Sequence, residues 1–291
     1  MKNFILGLGA HKAGTTWLFR QIKKHPNFKM GIKKEMRFFK GYSSSKKFKS
    51  GKNLSSKEQE YIRLIKLFKE NPQEYFDYFA KLANDNSVSH VGEITPCYCG
   101  LNIDQLKFIR ENLDKRNFEK KIIFLIRDPY KRILSHFSFQ MRRKHFGKMI
   151  GARANRKIKK NPYLLVENYT DEQIFDLIMN AYKSESYKLR TKYEIVIPKL
   201  LEVFKKEEVF IDFFEDMFND DFCKRFSQFS NLKDLAMDFS YSSNVSPKFK
   251  PLPNEIKSEI INYYKDTYHF INSIYPEKSK NLWKESLSFI G

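Results

Sequence analysis

Asn3-Phe4-Ile5-Leu6-Gly7-Leu8-Gly9, then Ala10-His11-Lys12-Ala13-Gly14-Thr15-Thr16, then Trp17-Leu18-Phe19-Arg20-Gln21-Ile22, is the stretch that decides the fold. The first run reads as a short buried strand that ends in a glycine-containing loop. Trp17, Leu18, Gln21 and Ile22 recur at helical spacing, and His25-Pro26 stops the pattern. A strand, a loop and a helix start in this order make an anion site, because backbone N–H groups converge there and the helix dipole adds partial positive charge. Gly14 lets the backbone approach a ligand, and the Thr15 and Thr16 hydroxyls add donors.

The spacing of Gly9 and Gly14 is that of a Walker A loop, but Thr15 stands where the lysine of that loop belongs. The lysine comes earlier, at Lys12. A phosphoryl-transfer site needs its lysine over the β- and γ-phosphates and a hydroxyl on Mg²⁺. A lysine two residues ahead of the second glycine shapes the loop for a shorter, diphosphate-like group. The missing Walker lysine counts against a P-loop kinase or NTPase, which stays as an alternative.

Working outward, Val88–Ile94 and Val209–Phe213 read as further strands, and Lys121–Ile126 as the clearest one. Ile122-Ile123-Phe124-Leu125-Ile126 is continuously apolar, as expected of a strand covered on both faces. Helical patterns fall at 61–68, 72–82, 103–113, 129–144, 171–183, 192–205 and 254–270. Strands alternating with helices predict an α/β chain, a P-loop-type three-layer fold with a central parallel sheet flanked by helices. No linker or internal repeat divides residues 1–291, so one domain is expected. The Lys/Ser/Gly-rich segment 40–57 lacks periodicity and reads as a mobile loop or lid; 145–165, with its basic stretch Arg153 to Lys160, is a second loop region.

The strand ending at Ile126 delivers Arg127 at its carboxyl end, where doubly wound sheets bind ligands. Asp128 is placed to cap the next helix, with Pro129 at its first position. Ser135 lies seven residues past Asp128, nearly two turns at about 100° per residue, so it shares a face with the helix start. Arg127 and Ser135 can therefore reach one anion, as a bidentate charged donor and a hydroxyl donor.

These two segments carry a resemblance. His11-Lys12-Ala13-Gly14-Thr15-Thr16-Trp17-Leu18 resembles the 5′-phosphosulfate loop P-K-[SAC]-G-T-[TS]-[WAL]-L of sulfotransferases that use 3′-phosphoadenosine 5′-phosphosulfate (PAPS), with His11 in place of the usual proline. Arg127-Asp128-Pro129-Tyr130-Lys131-Arg132-Ile133-Leu134-Ser135-His136-Phe137 resembles their 3′-phosphate segment R-[DN]-P-x-x-R-x-x-S-x-[YF]. Lys34-Glu35-Met36-Arg37-Phe38-Phe39 and Gly92-Glu93-Ile94-Thr95-Pro96-Cys97-Tyr98 resemble the K-E-x-H-F-F and G-E-K-[TS]-P-x-Y segments of heparan sulfate and related carbohydrate sulfotransferases. Beyond residue 140 the likeness weakens to Val209–Met217 and a C-terminal loop, Asn244–Pro253, offering Lys248 and Lys250 to phosphate.

The resemblance implies a sulfotransferase moving a sulfuryl group from PAPS to a hydroxyl or amine, with a carbohydrate favoured, no metal, and 3′-phosphoadenosine 5′-phosphate (PAP) as product. Lys12, Ala13, Gly14, Thr15, Thr16, Trp17, Arg127 and Ser135 are then the nucleotide contacts. Glu35 is the general base and Lys12 balances charge on the departing oxygen. Arg37 and Glu93 face the acceptor, and Glu93 is the reserve base. Two departures count against a heparan-type acceptor: Arg37 replaces a common histidine and Ile94 a common lysine.

Charge and composition add less. Of 291 residues, 54 are Lys or Arg against 34 acidic ones, a net charge of +20. That suits a nucleotide enzyme, and it also keeps open a non-enzymatic polyanion binder; a genome rich in Lys, Asn, Ile and Phe codons explains it as well. Basic residues are spread rather than grouped with stacking aromatics, which counts against nucleic acid. Three cysteines, Cys97, Cys99 and Cys223, fit no zinc or dithiol spacing and are expected to be reduced. With neither a signal-peptide pattern nor an apolar run of about 20 residues, a cytoplasmic protein is expected.

Overall fold

The computed structural model describes residues 1–39, 54–146, 157–158, 161, 169–240 and 250–290. The expected loops therefore lie largely outside the described residues, as do Lys248 and most of Asn244–Pro253. Residues 55–57 are described and are no part of a loop. Ser55 caps a helix, α2 (Ser56–Glu70), through a reciprocal capping box with Glu58. The chain packs as two compact units. One comprises 1–10, 14–125 and 196–238; the other 11–13, 126–195 and 239–291.

The first unit holds the sheet. Its strands are β1 (Lys2–Gly9), β2 (Phe28–Met30), β3 (His90–Ile94), β4 (Phe118–Ile126, whose last residue belongs to the second unit) and β5 (Val209–Phe213), in the order β2-β3-β1-β4-β5. The pairings β1/β3, β1/β4 and β2/β3 are parallel, with Leu6 opposite both Glu93 and Ile122. Phe4, Ile5, Leu6 and Leu8 of β1 are fully buried, so the central strand reads as a continuous apolar run. At Gly92 of β3 an added Cβ would sit 1.9 Å from the Ile5 carbonyl oxygen, so only glycine lets these strands approach. The flanking helices are α1 (Thr15–Ile22), α2, α3 (Gln73–Ala83), α4 (Ile103–Asp114) and a late helix, Asp220–Ser230. Phe4, Phe79, Tyr75, Phe76 and Phe68 interlock mainly edge-to-face beneath the sheet.

The second unit is helical. Its main elements are α5 (Pro129–Phe146), Asp171–Tyr182, Glu185–Thr191, and the C-terminal Asn254–Tyr263, Lys265–Ile274, Pro276–Leu282 and Lys284–Leu287. The expected helix over 254–270 breaks at Tyr264, whose backbone leaves the helical region while its hydroxyl donates to the Tyr182 carbonyl. Strand β2 and the short helices after residue 274 carry too little periodicity to be read from sequence; β2 is three residues long and is held by its ladder with β3. Among the described residues, Cys97, Cys99 and Cys223 form no disulfide.

Candidate active site

In the first unit, α1 begins at Gly14. Gly14 has φ of 82° and no side chain to cap the helix, so no side-chain oxygen is spent on the N–H groups of the first turn. An added Cβ there would meet Met217 Sδ at 2.7 Å and would sit in the left-handed region that non-glycine residues avoid. Thr15 is buried and Thr16 is half-buried at the helix start. The Thr16 hydroxyl accepts from Lys34 Nζ at 3.1 Å, and the same ammonium reaches Glu35 Oε1 at 3.4 Å. Sequence reasoning gave Lys34 no role, although it directly precedes Glu35. Burial lowers the Lys34 pKa from its ordinary value, while the Glu35 carboxylate opposes that shift.

Glu35 is held from two sides. Arg37 Nε donates to its Oε2 at 2.8 Å and Arg37 Nη2 contacts the same oxygen. Oε1 has the longer contact, to Lys34 at 3.4 Å. Arg37 has φ of 59°, which turns the chain after Met36 and aims the guanidinium back at Glu35. Lys33 lies over the Tyr61 ring, 3.8 Å from its centroid, and takes no part in this pairing.

Glu93 does not face an acceptor. It is fully buried, and each carboxylate oxygen takes two donors. Oε2 accepts from Met36 N at 2.7 Å and from the Thr95 hydroxyl, while Oε1 accepts from the Tyr75 hydroxyl at 2.5 Å and the Tyr98 hydroxyl at 3.0 Å. Burial pushes its carboxyl up from the ordinary range, and these four hydrogen bonds hold it back. With no lone pair left to offer and no surface to offer it on, Glu93 is a positioning residue for the backbone between Glu35 and Arg37. Ile94, where heparan-type relatives carry lysine, is likewise in the core, packed against Gly7. The Trp17 side chain is 2% exposed and packs on Phe218 and Phe222 at 5.0 and 6.2 Å between ring centroids. A tryptophan spaced with Leu18, Gln21 and Ile22 on one helical face is pulled into the core by apolar burial.

In the second unit, Lys12 is half-buried with φ of 73°, its ammonium 4.8 Å from the centroid of the Phe139 ring. Ala13 is fully buried. Arg127 Nη1 donates to the Lys12 carbonyl at 3.1 Å, so the loop and the end of β4 are in contact through these two residues. The Tyr193 hydroxyl brackets Arg127, accepting from its N–H at 3.2 Å and donating to its carbonyl at 2.8 Å. Asp128 caps α5 as expected, accepting from Lys131 N at 3.2 Å; it also accepts from the Tyr268 and Ser286 hydroxyls at 2.8 and 2.6 Å. Those two C-terminal donors were invisible in sequence because nothing local pairs them with residue 128. Ser135 is nine-tenths buried on α5. Lys250 forms an exposed ion pair with Asp171 at 2.7 Å.

The chemistry on offer is thus a helix start with two hydroxyls beside a lysine–carboxylate pair, and a second group of cationic donors around Arg127 and Ser135. No family model and no curated protein sequence matches the chain. Among solved structures, a sulfotransferase from Alicyclobacillus acidocaldarius superposes with a TM-score of 0.54 at 16% identity, over 94% of this chain and 95% of that one. At this identity the likeness establishes the fold: the chain has the central five-stranded, helix-flanked sheet of a sulfotransferase.

Proposed function

We propose that the protein transfers a sulfuryl group from PAPS to a hydroxyl or amine, on a carbohydrate acceptor, and that it works in the cytoplasm. The observation that carries this reading is the contact between Arg127 and the Lys12 carbonyl, because it joins the residue assigned to the nucleotide's 3′-phosphate with the loop assigned to its 5′-phosphosulfate. Each unit also carries residues whose chemistry suits such a nucleotide. In the first, Gly14 leaves the start of α1 without a side-chain cap and Thr16 offers a hydroxyl; in the second, Ser135 offers another.

PAPS supplies the activated sulfuryl group. The chain's own residues do the rest. Glu35 Oε1 takes the proton from the acceptor O–H or N–H as the acceptor atom bonds to sulfur. The bond from sulfur to the bridging phosphate oxygen breaks, and its electron pair stays on the 5′-phosphate of PAP. Lys12 balances that charge, with the N–H groups and hydroxyls of Gly14, Thr15 and Thr16 as further donors. Lys34 holds both the Thr16 hydroxyl and Glu35, which sets donor and base in register. Arg37 turns Glu35 and is the acceptor-side cation; Glu93 acts from behind, through Met36.

Among the described residues no helix is long and apolar enough to cross a membrane. The reading is tested by thermal shift with PAP and with ATP plus Mg²⁺, followed by labelled PAPS against pooled glycans and small alcohols. Stabilisation by PAP alone and label transfer to a glycan are the expected results. Equal stabilisation by ATP would move the assignment to a P-loop phosphotransferase.

A further inference from the structure

Lys12 balances the charge on the departing oxygen in the reading above, and its side chain is the most flexible part of the loop. Its backbone is pinned: φ is 73°, and its carbonyl accepts from Arg127 Nη1 at 3.1 Å. That leaves a long aliphatic stem, whose rotamer freedom must be given up before the ammonium can serve one oxygen atom. One contact at the far end of that stem is aromatic. The ammonium lies 4.8 Å from the centroid of the Phe139 ring, half-buried on α5.

The ring is itself held in place. The His11 ring meets Phe139 edge-on at 5.6 Å and His136 edge-on at 4.8 Å, and His136 stacks on Tyr187 at 4.4 Å. Phe139, His11, His136 and Tyr187 thus form a continuous row of rings within the second unit. His11 stands where the loop it resembles carries proline, so the ring that ties the loop to α5 is particular to this sequence. Arg143, exposed and one turn further along α5, has its Cζ 5.9 Å from the same Phe139 ring. A π face differs here from a carboxylate. It attracts an ammonium through the ring quadrupole but carries no net charge, so it orders Lys12 without neutralising it. A carboxylate in the same place would cancel the charge that the departing oxygen needs.

We propose that Phe139 is a positioning residue for sulfuryl transfer, its ring holding the Lys12 ammonium in place ahead of the reaction. The positive charge is then already ordered when the bond from sulfur to the bridging oxygen breaks, and none of that ordering has to be done in the transition state. Phe139 acts on the reaction only through Lys12. The inference rests on the nucleotide reading above and adds to it a residue to which the helical pattern at 129–144 gave no role.

The experiment uses the full chain, with PAP affinity measured by calorimetry and turnover of labelled PAPS measured at saturation against the pooled glycans and small alcohols. Phe139→Leu keeps an apolar side chain and removes the π face. Its turnover is expected to fall about five- to tenfold, as a half-buried cation–π contact supports, while PAP affinity stays within about threefold of the parent. Phe139→Tyr restores the face, and both readouts are expected to stay within about threefold. Arg143→Gln removes the other cation near the ring and is expected to leave turnover within about twofold. Turnover of Phe139→Leu within about threefold of the parent overturns the proposal. So does an equal loss in Phe139→Tyr, or a loss of PAP affinity that matches the loss of turnover, since a packing residue or a nucleotide contact behaves that way. If Arg143→Gln reproduces the Phe139→Leu loss, the ring works through Arg143 and the assignment to Lys12 is wrong. Should Phe139→Leu fold poorly, Phe139→Met gives the same comparison. A parent that transfers no label fails the transfer reading itself, and this inference with it, which is a separate result from an active parent indifferent to Phe139.

Discussion

Replacing Glu93 by Gln tests how the segment bearing Glu35 is held. An ionised carboxylate only accepts, and all four of its contacts are donors: Met36 N, the Thr95 hydroxyl, and the hydroxyls of Tyr75 and Tyr98. Gln keeps the shape but turns one oxygen into an NH₂ that faces two of those donors. The least costly arrangement points the amide oxygen at Met36 N and Thr95 and the NH₂ at the two tyrosines. Tyr75 and Tyr98 are 0% and 1% exposed, so their hydroxyls have no water to turn to. Losing an acceptor costs about 1–3 kcal/mol for each buried donor, hence about 2–6 kcal/mol for the two. For a chain of this length, at about 2 °C per kcal/mol, that is a drop of roughly 4–12 °C in the melting temperature, read by scanning fluorimetry. Turnover is expected to fall further than PAP affinity, because Met36 lies between Glu35 and Arg37. A variant within about 1 kcal/mol of the parent, with turnover intact, would refute the assignment of Glu93 as the anchor of this segment.

Gly14→Ala combines a left-handed backbone with a Cβ 2.7 Å from Met217 Sδ; a loss of about 2–4 kcal/mol in chemical denaturation and no melting shift with PAP are expected. Glu35→Gln should retain PAP affinity and lose most turnover in the labelled PAPS assay, and survival of turnover would remove Glu35 as the base. Ser286→Ala takes one of the two C-terminal hydroxyls from the Asp128 cap and should cost about 1–2 kcal/mol in the same denaturation assay. His11 and His136 stay neutral when folded but gain protons near pH 6.5 when unfolded, so acid favours the unfolded chain. Stability is present above pH 6.5 and falls below it, by up to about 1.4 kcal/mol per histidine for each pH unit. Melting from pH 7 to pH 5 checks this, and His136→Phe should flatten the decline.

How much of this was readable beforehand differs between elements for physical reasons. β1, β4 and β5, α1 and α5 announce themselves through short-range pattern: apolar runs, helical spacing, and Asp128 followed by Pro129 at a helix start. The loop Lys12–Thr16 and the pair Arg127 and Ser135 stand out in the sequence because each lies in one local segment with its own spacing. Trp17 and Glu93 show what local pattern does not carry. Both stand inside segments assigned to ligands, and both are turned inward, one by apolar packing on Phe218 and Phe222 and the other by donors from Met36, Tyr75, Thr95 and Tyr98.

Sequence by itself therefore determined the α/β class and the strand–loop–helix order at the start of the chain, since these depend on neighbours along the chain. Only the folded molecule decided which carboxylate stays accessible, that Lys34 joins Thr16 to Glu35, and that Arg132 is buried with no counter-ion among the described residues. Those outcomes depend on burial and on partners tens or hundreds of residues away, such as Ser286 on Asp128. Chain spacing does not encode desolvation; packing does.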